Sequence, residues 1–293
     1  MLHVSSRGTI LVCLALVGLG AGLGCRGVRA GRGNSNQAPT SIFGIFQPPT
    51  PAQAAAWAAD EYDADKRYRG TLLLANAPFG GEGVYVEMYT KAAKDEDPAV
   101  RAAAIRGLAL HGSPEHVPLI LDQIEDPDRL LRWESARALQ RLHNPAAVPA
   151  LIRRLTPDNE EDPLVRAAAA DALGQYPEVR VVDGLITALG DRDLAVNNAA
   201  LRSLRTLTGQ DLSDNVRAWV AWKKDRQDLF AARRPYIYPV FYRDKNWVEV
   251  ILPVFSPPNE IAASPVGMDV SLGPGATPNS DSSQPADAPV RTN

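Results

Sequence analysis

Cysteine is nearly absent from this sequence. Cys13 and Cys25 are the only two among 293 residues, so nothing beyond position 25 can form a disulfide or a cysteine cluster. A chain with a large helical core does not need such staples, and their absence leaves the redox compartment open. Aromatic residues supply only 6% of the chain while apolar residues as a whole supply 45%, much of it alanine. That balance favours closely packed helices over a sandwich of β-branched strands. The sequence also lacks a charge excess: the net charge is −3, which gives no electrostatic footprint for nucleic acid.

Charge is missing altogether from Thr9 to Gly24, a run of sixteen residues rich in Leu, Val, Gly and Ala. It reads as the apolar core of a signal peptide, short of the ~20 residues a spanning helix needs. The run ends in Gly22-Leu23-Gly24-Cys25, which resembles the lipobox of bacterial lipoproteins. The resemblance implies that Cys25 carries the lipid. The sequence departs from the pattern at Gly22, where leucine is usual, and in the positive charge of Arg26, Arg29 and Arg32 after the run. The alternatives are a plain secretory signal and an uncleaved short anchor. The expectation is an exported protein, held on the extracytoplasmic or periplasmic side of a membrane through an N-terminal lipid. Residues 26–51, with their glycines, asparagines and prolines, read as a flexible linker.

The central stretch has internal periodicity. Arginine recurs at Arg69, Arg101, Arg132 and Arg166, with Asn197 in the fifth place, at spacings of 32, 31, 34 and 31. An aspartate stands four residues before each: Asp65, Asp97, Asp128, Asp162 and Asp193. Asp97-Pro98 and Asp162-Pro163 join an N-cap acceptor to a proline at the first helical position, so each repeat announces a helix start. Leu73, Ile105, Ala136, Ala170 and Leu201 follow at offset four, then Leu108, Leu139, Leu173 and Leu204 at offset seven. Asn76 breaks that apolar stripe and marks the first repeat as degenerate. A second helix aligns on Val86, Val117, Val148 and Val182, and offsets three, four and seven recur there, apolar except for Thr90 in the first repeat. The longer third spacing comes from an acidic stretch, residues 156–161, read as a tolerated insertion or a docking feature.

The units Asp97-Pro98-Ala99-Val100-Arg101 and Asp162-Pro163-Leu164-Val165-Arg166 resemble the short HEAT repeats named after phycobilisome lyases, over residues 65–207. The resemblance implies an all-α fold, an α-α superhelical solenoid of about four to five repeats. It also implies first helices on the convex side, second helices on the concave side, and Asp and Arg ladders joining neighbouring repeats through Asp97, Arg101, Asp128, Arg132, Asp162 and Arg166. A C-terminal helix capped by Asp214, with Trp219 and Trp222, closes the stack, so that 1–25 is signal and 52–230 solenoid. Residues 231–255 read as a small β-hairpin, Tyr236–Tyr242 turning back through Trp247–Phe255, and 256–293 as a structureless tail.

Chemistry-bearing patterns are scarce. Past His3 only His111, His116 and His143 remain, and Glu115-His116 is the single adjacent pairing of acid and histidine. The HEAT-repeat deoxyhypusine hydroxylases carry several His-Glu pairs for two irons, so one reversed pair does not support that activity. No zinc-protease, phosphate-loop or nucleophile-elbow motif occurs. The expectation is therefore no catalytic residue, no cofactor and no metal, in a scaffold that is not an enzyme and binds a protein but no nucleic acid. Its candidate contacts lie on the second helices: Lys91, Asp122, Gln123, Arg153, Arg154, Asp183 and Thr187. The alternative is a lyase-type enzyme related to HEAT-repeat bilin lyases.

Overall fold

The computed structural model describes residues 49–241 and 260–268. Within them a leading helix, α1 (Pro51–Ala58), precedes five helix pairs. The first helices are α2 (Ala64–Ala75), α4 (Pro98–His111), α6 (Arg129–Arg141), α8 (Pro163–Leu173) and α10 (Leu194–Thr208). The second helices are α3 (Gly83–Ala92), α5 (Val117–Gln123), α7 (Val148–Arg153), α9 (Val179–Ala188) and α11 (Val216–Lys224). Each first helix packs on the first helix of the next repeat, giving the expected solenoid. The caps are the expected aspartates: Asp97, Asp128, Asp162 and Asp193 each accept backbone N–H groups of the first turn, those of Ala99, Leu131, Leu164 and Ala195 among them.

The first repeat starts two residues earlier than its arginine suggested. Asp63, not Asp65, caps α2, and Arg67, not Arg69, occupies the repeat's arginine position. Leu74, fully buried, then takes the offset-seven place assigned to Asn76, while Leu73 is 40% exposed. The repeat is regular, and the break at Asn76 came from the register.

The ladder between repeats also differs in its partners. The capping aspartates are occupied by backbone N–H groups, and the arginines reach a second acid that lies two residues before each cap. Arg67 pairs with Asp95, Arg101 with Asp126, Arg132 with Glu160 and Arg166 with Asp191, at 2.7–2.8 Å. Each acid also accepts the N–H of the aspartate two residues on. Glu160 lies in the acidic insertion, with its side chain 0% exposed, so this part of that loop is a rung of the ladder and not a docking feature.

Burial opposes ionisation of Asp95 and Asp191, yet the hydrogen bonds from Arg67 and Arg166 and from backbone N–H groups outweigh it and hold both below the ordinary value of 3.8. A depressed carboxylate contributes stability that is present above its unfolded pKa and lost as pH falls through the folded one. Glu134 and Asp171, raised by burial, act in the opposite sense, and their contribution falls as pH rises. The urea midpoint is therefore expected to drop as pH falls below about 4. Asp191→Asn should flatten that drop, and an unchanged acid limb in the variant would remove Asp191 as its source.

At the C-terminal end Gly209 terminates α10 at φ 68°, where a Cβ would lie 2.1 Å from the Ala232 carbonyl oxygen. Trp219 on α11 is fully buried and donates its indole N–H to the Ser213 carbonyl, closing the stack as expected. The helix is capped by Asn215 in place of Asp214. Beyond it the chain turns back over the first helices. The Arg234 N–H donates to Thr206 O at 2.7 Å, and the buried Tyr236 hydroxyl donates to Asp171 O at 2.5 Å and accepts from Gln140 at 3.0 Å.

Strand β1 (Tyr238–Phe241) pairs antiparallel with β2 (Glu260–Ala263), Tyr238 opposite Ala263. The expected hairpin partner, Trp247–Phe255, lies outside the described residues. The observed partner belongs to the stretch expected to have no structure. It is held because Val266 exchanges backbone hydrogen bonds with Arg141 and His143 on the solenoid, at 2.8 and 2.9 Å.

Candidate functional site

The second helices present polar side chains on a regular apolar base. Tyr89, Ile120, Leu151 and Leu185, at offset three, are fully buried and orient the four helices alike. Of the seven candidate contacts, Lys91, Asp122, Arg153, Asp183 and Thr187 are exposed, while Gln123 and Arg154 are half-buried. They do not converge. Arg153 and Arg154 both turn back onto Glu125 of the preceding repeat, and Arg154 also donates to Asn159 O at 2.7 Å. Asp183 pairs with Lys223 of α11, and the Thr187 hydroxyl donates to Asp183 O within its own helix. Glu125 and Lys223 are not among the expected contacts, and each reaches its partner from a neighbouring repeat, a proximity that spacing along one helix does not show.

Two open clefts adjoin this face. The first, of about 900 Å³, is lined by Asp60, Glu87, Thr90, Lys91, Lys94 and Asp95 among others, and holds the candidate Lys91. The second, of about 760 Å³, lies between α7 and α9, with Ile152, Leu155, Pro157, Thr187 and Arg192 in its walls. Gly184 keeps α9 close to α7 here, since a Cβ on it would stand 3.1 Å from a Leu155 methyl. Both clefts end at ladder rungs, Arg67–Asp95 and Arg166–Asp191.

The histidines serve the joints between and within repeats. His111 Nε2 lies 2.8 Å from Ala75 O. His143 Nδ1 lies 2.9 Å from Gln175 Oε1, and its ring stacks on Tyr176 at 4.9 Å. The Glu115-His116 pair braces a turn, as the Ser113 hydroxyl donates to Glu115 at 2.8 Å and the Ser113 N–H to His116 Nδ1 at 3.1 Å. Among the described residues no group of three His, Cys, Asp or Glu side chains is placed to hold a metal ion, and no helix is long and apolar enough to cross a membrane.

Comparison with known proteins places the repeats. A family model described as HEAT repeats matches residues 86–162 and 158–232. A bilin biosynthesis protein, PecE of Mastigocladus laminosus, is 34% identical over 107 residues, covering 36% of this chain and 39% of that protein. A deoxyhypusine hydroxylase of Schizosaccharomyces pombe is 44% identical over 63 residues, covering 22% of this chain and 20% of the other. The chain therefore spans well under half the length of these curated relatives. Among solved structures, the complex of CpcE and CpcF of phycocyanin lyase from Nostoc aligns with a TM-score of 0.38 at 22% identity, over 59% of this chain and 81% of that one. The expectation that the chain is not an enzyme is overturned by the two curated relatives, one named as an enzyme and the other as a biosynthetic protein. Its basis was the absence of compact motifs, and a repeat fold assembles sites from side chains on separate repeats, which no local pattern reveals.

Proposed function

The chain belongs to the HEAT-repeat family, and on that premise we propose that it is the protein-binding component of a lyase-type enzyme, holding a protein along its second helices. The observation that carries this reading is the 107-residue stretch 34% identical to a bilin biosynthesis protein, a name that points to a bilin as the small-molecule substrate. The open form of the two clefts supports a protein as the occupant, because small ligands are usually enclosed over most of their surface. Lys91, Asp122, Gln123 and Thr187 are the proposed contacts, with Arg153, Arg154 and Asp183 available where a partner displaces Glu125 or Lys223.

The test places a photo-crosslinking residue at Lys91, Asp122 or Thr187 of the full chain in its own cell extract, with a bilin present and absent. The expected result is one protein crosslinked from all three positions and carrying covalently attached bilin only when this chain is present. Crosslinking from exposed Leu194 on a first helix as often as from the second helices would defeat the surface assignment. A partner that never gains bilin would defeat the lyase assignment.

We also propose export and lipid tethering, supported by the uncharged run Thr9 to Gly24 and by Cys25 directly behind it. One acyl chain gives only marginal membrane binding, whereas several anchor firmly. The mature protein should stay with membranes through a salt wash, and Cys25→Ser should abolish fatty-acid labelling. Mass spectrometry of the mature N-terminus decides it: an unmodified Cys25, or cleavage elsewhere, removes the tether.

A further inference from the structure

The first-helix side carries a charged surface that neither the ladder nor the second helices use. On α6, Trp133, Arg137 and Arg141 follow one another at intervals of four residues and so share a face. The Arg137 guanidinium carbon lies 4.7 Å from the centre of the Trp133 ring, and that of Arg141 lies 5.5 Å from the centre of the Tyr238 ring. Tyr238 is held there by the returning chain, through Tyr236 on Asp171 and Gln140 before it and Val266 on Arg141 beyond it. Arg106 of α4 reaches the same place and stands 3.8 Å from Glu134. Glu134 is the carboxylate that all three arginines face, and burial pushes its pKa up. Three fixed positive charges thus meet one carboxylate. Among the described residues, neither the Arg137 nor the Arg141 guanidinium forms an ion pair or a hydrogen bond.

A guanidinium stacked on a ring keeps its N–H edge free, and that edge is a fork matched to carboxylates. Stacking also fixes the side chain in advance, so less conformational freedom is lost when a ligand arrives. The pitch of the two forks selects the ligand. Arg137 and Arg141 are one helical turn apart, about 6 Å along the axis. Alternate side chains of an extended peptide are separated by about 6.6 Å. Leu110, 37% exposed and one turn beyond Arg106, and Ile237, 59% exposed beside Tyr238, supply apolar margins.

We propose that Arg106, Arg137 and Arg141 form a docking site for an acidic, extended peptide segment of a partner protein, in which carboxylates at alternate positions sit on the Arg137 and Arg141 forks. The site lies on first helices and does not depend on the second-helix reading or on lyase chemistry.

The test titrates the full chain with two fluorescein-labelled ten-residue peptides of equal composition, one with glutamate at every second position and one with the glutamates in a single block. The alternating peptide should bind at least fivefold more tightly than the blocked one. Replacing its glutamates with glutamine should weaken it tenfold or more, which requires no change to the protein. Arg137→Ala and Arg141→Ala should each weaken binding about tenfold, Arg137→Lys nearly as much because the fork is lost, and Arg217→Ala, at an exposed position on α11, should have no effect. Circular dichroism melts identify any variant that does not fold, in which case the peptide series decides. Equal affinity for the two peptides, or wild-type affinity in folded Arg137→Ala and Arg141→Ala, overturns the proposal. So does binding to phosphatidylglycerol vesicles, or to inorganic phosphate, that is tighter than binding to the alternating peptide.

Discussion

Replacing Glu160 with alanine is expected to destabilise the fold by about 3 to 5 kcal/mol, the usual loss when one partner of a buried ion pair is removed. Both carboxylate oxygens are engaged with Arg132, at 2.7 and 2.9 Å, and one also accepts the Asp162 N–H at 3.0 Å. The side chains of Glu160 and Arg132 are 0% and 11% exposed. Without the acid, Arg132 keeps its hydrogen bonds to Asp126 O and Pro127 O, but its charge stays buried without a counter-ion. The measurement is the urea midpoint at unchanged slope. Glu125→Ala is the comparison. It breaks the pairs with Arg153 and Arg154, but Glu125 is 46% exposed, and exposed pairs contribute about 1 kcal/mol or less. If the two substitutions cost the same, the ladder at Glu160 has no special structural weight.

Leu139→Ala, in the middle of α6, should cost about 2 to 5 kcal/mol through lost burial and the cavity left behind. Leu139 and its counterpart Leu173 are both fully buried, on first helices that pack against each other. Because each repeat is supported only by its neighbours, a weakened central repeat weakens two interfaces at once. Leu164→Ala removes the same side chain from a position 53% exposed and should change stability by no more than about 0.5 kcal/mol. Thermal melts that rank Leu164→Ala with Leu139→Ala would show that the offset-seven stripe does not face the core.

Much of the fold is legible in the sequence because the helix-start chemistry recurs unchanged. The aspartate caps at Asp97, Asp128, Asp162 and Asp193 need only local backbone geometry. The first repeat misled because Asp63 and Arg67 have the same spacing as Asp65 and Arg69. Offset seven separates them, as Leu74 can be buried and Asn76 cannot without partners. The ladder acids were also in view, as an acid two residues before each cap: Asp95, Asp126, Glu160 and Asp191. Strand β2 was not, since its pairing with β1 is set by a contact between Val266 and the end of α6. The candidate surface was legible only as a face. Whether Arg153 and Asp183 stand free depends on Glu125 and Lys223, which approach from neighbouring repeats.

The ladder also gives the chain a direction of dependence. Every rung joins an arginine to an acid 25 or 28 residues further along, never to one behind it. During synthesis each arginine therefore emerges ahead of its counter-charge and waits for the following repeat. A chain ended anywhere between Arg132 and Glu160 would keep its earlier rungs intact and leave one cation outstanding at its last repeat. At the fifth place the debt is cancelled by substitution: Asn197 stands where an arginine would, and its side-chain amide is met by Leu189 O at 3.1 Å, behind it in the chain. The array can stop there because its final position carries no charge for a sixth repeat to meet.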